Sequence, residues 1–248
     1  MQQNVVLRAS ARLVASVLAT LALAWPALAG DRALIELIGY STDARYFAFE
    51  EYGIQDGSGF PYSTIYVIDI AADSWIPDSP FRARLEEDGA NTFRARQESR
   101  ELAAEALEGL DIVAPAQFIA LNGDGEPVDG KSLDFGAVGW DPGAIVGMNR
   151  LTLETFDADS PTDCEGLIGD PAKGYRLVLE SGDEAPLVLH EDGDKLPASR
   201  GCAMDYRIFG VVTGEALTTL DAAMVIVSVY PFGFEGPDRR FLAVPLGK

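Results

Sequence analysis

The chain has 248 residues, 39 of them acidic against 19 basic, for a net charge of −20, and 48% of its residues are hydrophobic. Nucleic acid and anionic membrane surfaces are themselves polyanions that this charge repels, so neither is expected as a partner. The length suffices to bury a real core, and most of the acidic excess reads as the solubilising charge of an exported protein.

Residues 1–29 read as a signal peptide. Arg8 and Arg12 form a positive start, Leu13 to Ala24 is apolar, and Ala27-Leu28-Ala29 is a small-x-small cleavage site before Gly30. Cleavage there leaves residues 30–248 as a single secreted, β-rich domain for the periplasm or the medium, and takes the charge from −20 to −22 because both arginines leave. No later run reaches the roughly 18 apolar residues of a transmembrane helix.

Ile38 to Ile76 is the organising stretch of the exported part. Phe47 and Phe49 alternate with Tyr46, Ala48 and Glu50, and Ile65 and Val67 alternate with Tyr66 and Ile68, which predicts a hairpin. Gly53 to Pro61 is too long for a two-residue turn and too glycine-rich for a strand, so it is expected to be an ordered surface loop. Trp75 is expected against the hairpin, with Pro77 and Pro80 stopping further strand.

From Asn91 or Thr92 to Gly109 the pattern turns helical, with Leu102, Ala103, Ala106, Leu107 and Leu110 as the apolar face. Its charges run against the macrodipole: Arg94, Arg96 and Arg100 lie in the first half and Glu101, Glu105 and Glu108 in the second. The arginines therefore answer something else, either acidic groups such as Glu86 to Asp88 or an anionic ligand.

Gln117 to Leu121 is a strand ending at the turn Asn122-Gly-Asp-Gly125. Asn122, Asp124, Glu126 and Asp129 there miss the spacing of a calcium loop, so no metal is expected. After the turn at Trp140 to Gly143, an apolar run from Ala144 to Met148 leads into alternating Leu151 and Leu153, and Asp157 to Asp163 is an acidic loop. The segments Tyr-Arg-Leu-Val-Leu-Glu and Pro-Leu-Val-Leu-His form a hairpin between Gly174 and His190. Strands follow at Tyr206 to Thr213, Met224 to Tyr230 and Arg240 to Val244. The last pair flanks a glycine-rich aromatic loop, Pro231 to Asp238, and mirrors the first hairpin, which predicts that the two lie side by side in one sheet. Cys164 and Cys202 are the only cysteines, and in an oxidising compartment they are expected to form a disulfide.

Two resemblances accompany these patterns. Ser41-x-Asp43-x-Arg45-Tyr46-x-Ala48-Phe49, followed by Ile65-Tyr66-Val67-x-Asp69, resembles one blade repeat of the TolB-type β-propellers. Ala44 stands where that repeat has Gly, the loop is longer, and one copy falls short of the about four blades that close a ring. The exported chain as a whole resembles a family of predicted secreted bacterial proteins of unknown function. That likeness rests on Arg45 to Ile70, on Leu-Pro-Ala-Ser-Arg-Gly-Cys at Leu196 to Cys202, and on Gly233 to Pro245. It implies a secreted single domain and no activity.

The predicted fold is mainly β, antiparallel hairpins in one or two sheets, blade-like or sandwich-like, with one packed α-helix. No catalytic residue is assigned. His190, the only histidine, sits beside Glu191 and Asp192 at a strand end and reads as structural, and there is no Gly-x-Ser-x-Gly elbow. The expected function is a non-enzymatic binding or accessory module, without cofactor, for an envelope protein or small ligand. Its candidate residues are Asp56, Phe60, Tyr62, Phe234, Glu235, Asp238, Arg239 and Arg240 in the two aromatic loops. The alternative is a carboxylate-dependent, glycosidase-like hydrolase using a pair drawn from Glu50, Glu51, Asp56, Glu235 and Asp238, if the two ends of the chain meet.

Overall fold

The computed structural model describes residues 30–122, 129–141, 144–214 and 220–247. The signal segment, Asp124 and Glu126 lie outside them. The fold is mainly β and built from three antiparallel sheets, none closed into a barrel.

Sheet 1 takes the first part of the chain: β1 (Leu34–Ser41), β2 (Tyr46–Ile54), β3 (Pro61–Asp69), β4 (Ser74–Trp75), β5 (Phe81–Arg84) and β6 (Ile112–Ala114). Its order is β4-β3-β2-β1-β6, with β5 also on β3. Helix α1 (Thr92–Gly109) lies across its outer face. Sheet 2 has the order β14-β13-β12-β7, from β7 (Ala116–Leu121), β12 (Ala203–Gly214), β13 (Met224–Pro231) and β14 (Arg240–Pro245). Sheet 3 is β11-β10-β9-β8, from β8 (Ser132–Val138), β9 (Ile145–Ala158), β10 (Ala172–Ser181) and β11 (Leu187–Glu191).

Strand β13 explains the stacking. Its residues are apolar in succession rather than in alternation, the pattern of a strand covered on both faces. Met224 and Ile226 enter a core with Phe47, Phe49 and Ile68 of sheet 1, while Val225, Val227 and Val229 enter one with Leu151, Leu153, Tyr175 and Leu177 of sheet 3. The layers therefore run helix, sheet 1, sheet 2, sheet 3. At about 25 cal/mol per Å² of apolar surface, the two faces of this strand outweigh any single polar contact in the molecule.

Of the two caps the sequence offers, the helix uses Asn91, whose side chain accepts from the Arg94 amide at 3.1 Å. Its inward face is shifted, however. Ala95, Ser99 and Ala103 are buried, whereas Leu102 is 52% exposed. Small residues let the helix lie close on β3, and Leu107 and Leu110 cover the end of that contact. Two further expectations are corrected. Strand β5 begins directly after Pro80, on the edge of β3, where a missing amide costs no ladder bond. The first and last hairpins face one another in neighbouring sheets instead of continuing one sheet, so Phe47 and Val227 lie in separate cores. Both hairpins are covered on both faces, which their similar composition reflects.

Cys164 opens helix α2 (Cys164–Ile168) and bonds to Cys202 just before β12, in a small core with Ala158, Ala172 and Leu196. Asn122, expected in a turn, donates from its side chain to the carbonyls of Ser132 and Ile208 at 3.1 and 2.9 Å and so joins sheets 2 and 3.

Reduction of this disulfide, which spans 38 residues, should lower the unfolding free energy by about 4 kcal/mol in denaturant titrations of oxidised and reduced protein. Ala44 has φ of 57°, in the left-handed region. Ala44→Gly should raise the stability by about 0.5–1 kcal/mol, measured by the same titration, and an unchanged or lower midpoint would show that the turn is unstrained.

Candidate functional site

The two aromatic loops meet. The Asp56 carboxylate accepts the Glu235 amide at 2.7 Å, and the Phe234 ring lies over Gly57, whose φ of 75° brings the backbone beneath it. The Asp238 amide donates to the Pro231 carbonyl and the Phe232 amide to that of Cys202, each at 2.9 Å, so the second loop is closed on itself. Phe234 is 82% exposed and Phe232 43%.

Behind the loops lies a polar clamp organised by Asp31, whose part in it the sequence did not suggest. The Asp31 side chain accepts from Arg240 Nη2 at 2.6 Å and from the Tyr62 hydroxyl at 3.1 Å, and its amide donates to Asp238 at 2.9 Å. Arg240 also lies over the Tyr62 ring and reaches Asp238 at 3.5 Å. Arg239 turns away, as alternation along a strand requires: it is buried, donates to the Ala33 carbonyl at 2.8 Å, and stacks on Phe209 and Phe241. Of the eight candidate residues, Tyr62 and Arg239 are therefore buried and cannot touch a partner, and Phe60 is half-covered beneath Arg84. Asp238 and Arg240 hold the loop from behind, and Asp56, Phe234 and Glu235 form its outer rim.

Glu50 and Glu51 illustrate how one strand serves two layers. Glu50 points to the helix, where Arg96 binds it at 2.8 and 3.0 Å, Arg100 at 3.0 Å and Ser63 at 2.8 Å. It stands directly opposite Glu36 on β1, and the same two arginines reach Glu36. Two like charges facing across a ladder repel, so the arginines are placed by Glu36 and Glu50. That explains the reversed helix charges. Only Arg94 takes the partner foreseen, Glu87 at 2.5 Å.

Burial works to raise the Glu50 pKa, but the hydrogen bonds from Arg96, Arg100 and Ser63 outweigh it and hold the group below its ordinary range. Glu51 points to sheet 2, accepting from the Phe241 amide and the Tyr66 hydroxyl, both at 3.0 Å. Burial dominates there and raises its pKa, as it does for Asp31 and Asp238. The two glutamates therefore point to opposite faces of sheet 1, Glu50 to the helix and Glu51 to sheet 2.

Two clefts remain. One, of about 580 Å³, runs along α1 between Phe93, Arg96, Arg100, Glu101 and Glu36. The other, of about 370 Å³, opens where all three sheets meet, between Phe49, Tyr66 and Trp75 on one wall and Tyr175, His190 and Arg200 on the other, with Phe241 to Val244 as its floor. His190 is held there on two sides: its Nε2 lies 3.0 Å from Asp192 and its ring stacks on Tyr175 at 4.5 Å. Sequence reasoning missed this second cleft because its residues come from separate segments spread between Phe49 and Val244. The one available signal was Arg200 inside an otherwise small-residue segment beside Cys202. No cluster of residues suited to a metal ion occurs among the described residues.

A family model described as predicted secreted protein (DUF2259) matches residues 48–247. No curated protein matches the chain.

The neighbouring glutamates should respond oppositely to substitution. Glu50→Gln strips the charge that holds two arginines and should cost about 2–3 kcal/mol at pH 7. Because the folded pKa of Glu50 is lowered, its contribution is present above the ordinary value of 4.5 and vanishes as pH falls through the folded pKa, so the cost of the substitution should shrink below pH 4. Glu51 has a raised folded pKa, and its contribution is full at low pH and lost as pH rises through that value. Glu51→Gln should thus gain on the wild type between pH 4 and pH 8 in melting experiments. Parallel slopes for the two variants would contradict the assignment.

Proposed function

Since the chain belongs to this DUF2259 family of predicted secreted proteins, we propose that it is a periplasmic, non-enzymatic binding or accessory module, one domain after removal of residues 1–29. The observation that carries this reading is the joined pair of loops: Asp56 fixes Glu235 while Phe234 stands 82% exposed above Gly57. An exposed aromatic ring costs solubility, and a loop serving only to connect strands needs no such ring, whereas a rigid aromatic anchor with a charged rim is the usual composition of a recognition surface. Asp31, Asp238 and Arg240 support the loop from behind, so the surface is organised before any partner arrives. The partner is an envelope protein or a small ligand, and its contact is made by Phe234 and Phe232 within a rim of Asp56 and Glu235. The meander from Ser41 to Asp69, which resembles a TolB-type blade repeat, serves as the platform for the first loop. No helix among the described residues is long and apolar enough to cross a membrane.

Immobilised protein spanning 30–248 should capture a defined partner from envelope extract, and Phe234→Ala should reduce that capture at least tenfold, as for a hot-spot ring. Its melting temperature should stay within about 1 °C of the wild type, since the ring lies outside the cores. Undiminished capture by the variant, or a large fall in melting temperature, would defeat this reading.

A further inference from the structure

The cleft among the three sheets has a feature that its structural role leaves unanswered. The Arg200 side chain is nine-tenths buried, yet its Nη1 has no hydrogen-bond partner among the described residues. Its guanidinium lies over Tyr175 and Tyr206 at 5.5 and 5.8 Å, and its other amino group reaches Asp192 only at 3.6 Å, because that carboxylate is already held by His190 and by the Tyr175 amide at 3.1 Å. Leaving a buried donor of a charged group unmade is costly, and native proteins seldom do so without a use. The charged and titratable groups facing the cleft are Arg200 and His190 on one wall, Asp192 behind them, and Asp73 on the opposite wall.

The floor adds a second observation. Strand β14 is an outer strand of sheet 2. The amide of Arg239, just before the strand, donates to the Asp31 carbonyl at 2.7 Å, and the outward amide of Phe241 within it donates to Glu51 at 3.0 Å. Strand alternation, with no irregularity in the β13–β14 ladder, aims the amide and carbonyl of Ala243 to the same side. Pro245 has no amide to offer. The open edge is thus covered at two positions and presents one residue's donor and acceptor, and Ala243 lies in the cleft floor. The walls carry two aromatic ladders, Phe49–Tyr66–Trp75 and His190–Tyr175–Tyr206, with ring centroids 4.5–5.5 Å apart.

We propose that this cleft binds a short extended peptide, bridged to the backbone of Ala243 by strand addition, packed between the aromatic walls, and held by a carboxylate on Arg200. Strand addition supplies affinity without demanding a particular sequence, and the guanidinium selects for the anion. The volume of about 370 Å³ limits the bound part to two or three residues. The carboxylate comes either from the peptide's C-terminus or from an acidic side chain, and both carry the same chemistry. This site is separate from the Phe234 surface and does not depend on it.

The test uses the 30–248 protein carrying Trp140→Phe, so that Trp75 in the cleft wall reports alone. Acetyl-Val-Phe-Val with a free carboxylate, its C-terminal amide, and acetyl-Val-Phe-Glu amide are titrated by fluorescence and by amide-resolved NMR. The free acid should bind about tenfold more tightly than its amide and move the Ala243 amide resonance. Recovery of that affinity by the Glu peptide assigns the carboxylate to a side chain, and failure to recover it assigns it to the C-terminus. Arg200→Met should bring the acid-to-amide ratio to about one. Ala243→Pro removes an amide that the sheet does not use, so it should abolish binding while the melting curve is kept, and it carries the test if the arginine variant fails to fold. Equal binding of acid and amide by the unaltered site, no binding at millimolar peptide, or undiminished binding by Ala243→Pro would overturn the proposal.

Discussion

A sheet buried on both faces leaves little room for polar side chains, and much of this molecule follows from that constraint. Met224 to Val229 can be apolar at nearly every step because sheet 1 receives one set of side chains and sheet 3 the other. With the faces of sheet 2 closed, polarity moves to its margins. One edge strand is covered by Asp31 to Ala33 and then by the Glu51 carboxylate, and the loops at its end carry the charged clamp of Asp31, Asp238 and Arg240. An uncovered edge is an invitation to pair with another chain. Here carboxylates and a short strap of backbone close most of it.

Strand β2 solves the complementary problem. Its two glutamates are adjacent in sequence, both buried, and held by entirely different means. Glu50 stays charged because two guanidinium groups surround it, while Glu51 sits between an amide and a phenol with its only strong cation, Arg240, engaged elsewhere. A buried charge is tolerable when paired and a buried acid when its proton can be kept. On these neighbouring residues the pKa is pushed in opposite directions, down for Glu50 and up for Glu51, which makes the stability sensitive to pH in two opposed ways.

The residues that announced themselves in the sequence were those with local rules. Period-2 alternation at Phe47 and Phe49, the Asn91 cap and the hairpin from Gly174 to His190 each depend on neighbours within a few positions, and the paired cysteines need only an oxidising compartment; the structure has all four. What stayed hidden depends on layers. Nothing near Asp31 shows that it anchors a loop some 200 residues away, and nothing near Leu102 shows that the helix would turn Ala95 and Ser99 inward, beside Ser63 and Glu50. The loop pair at Asp56 and Glu235 could be suspected from composition, but the burial of Tyr62 and Arg239 behind it could not. The cleft at Arg200 was invisible because its walls and floor reach each other only once three sheets are stacked.

The order of strands in sheet 2 has a bearing on how the molecule comes to exist. Sheet 1, with its helix, can close from residues before Ala114, and sheet 3 from residues before Glu191. The layer between them takes one strand from residues 116–121 and the other three from residues 203–245. As the polypeptide emerges in sequence on the far side of a membrane, its two outer layers are complete before their common filling is delivered. Their inner apolar faces must wait, wet and exposed, for β12 to β14. Such long-range closure is slow and leaves surfaces open to aggregation. The chain is therefore one whose yield on export should depend on what shields those faces until the segment from Ala203 onward arrives.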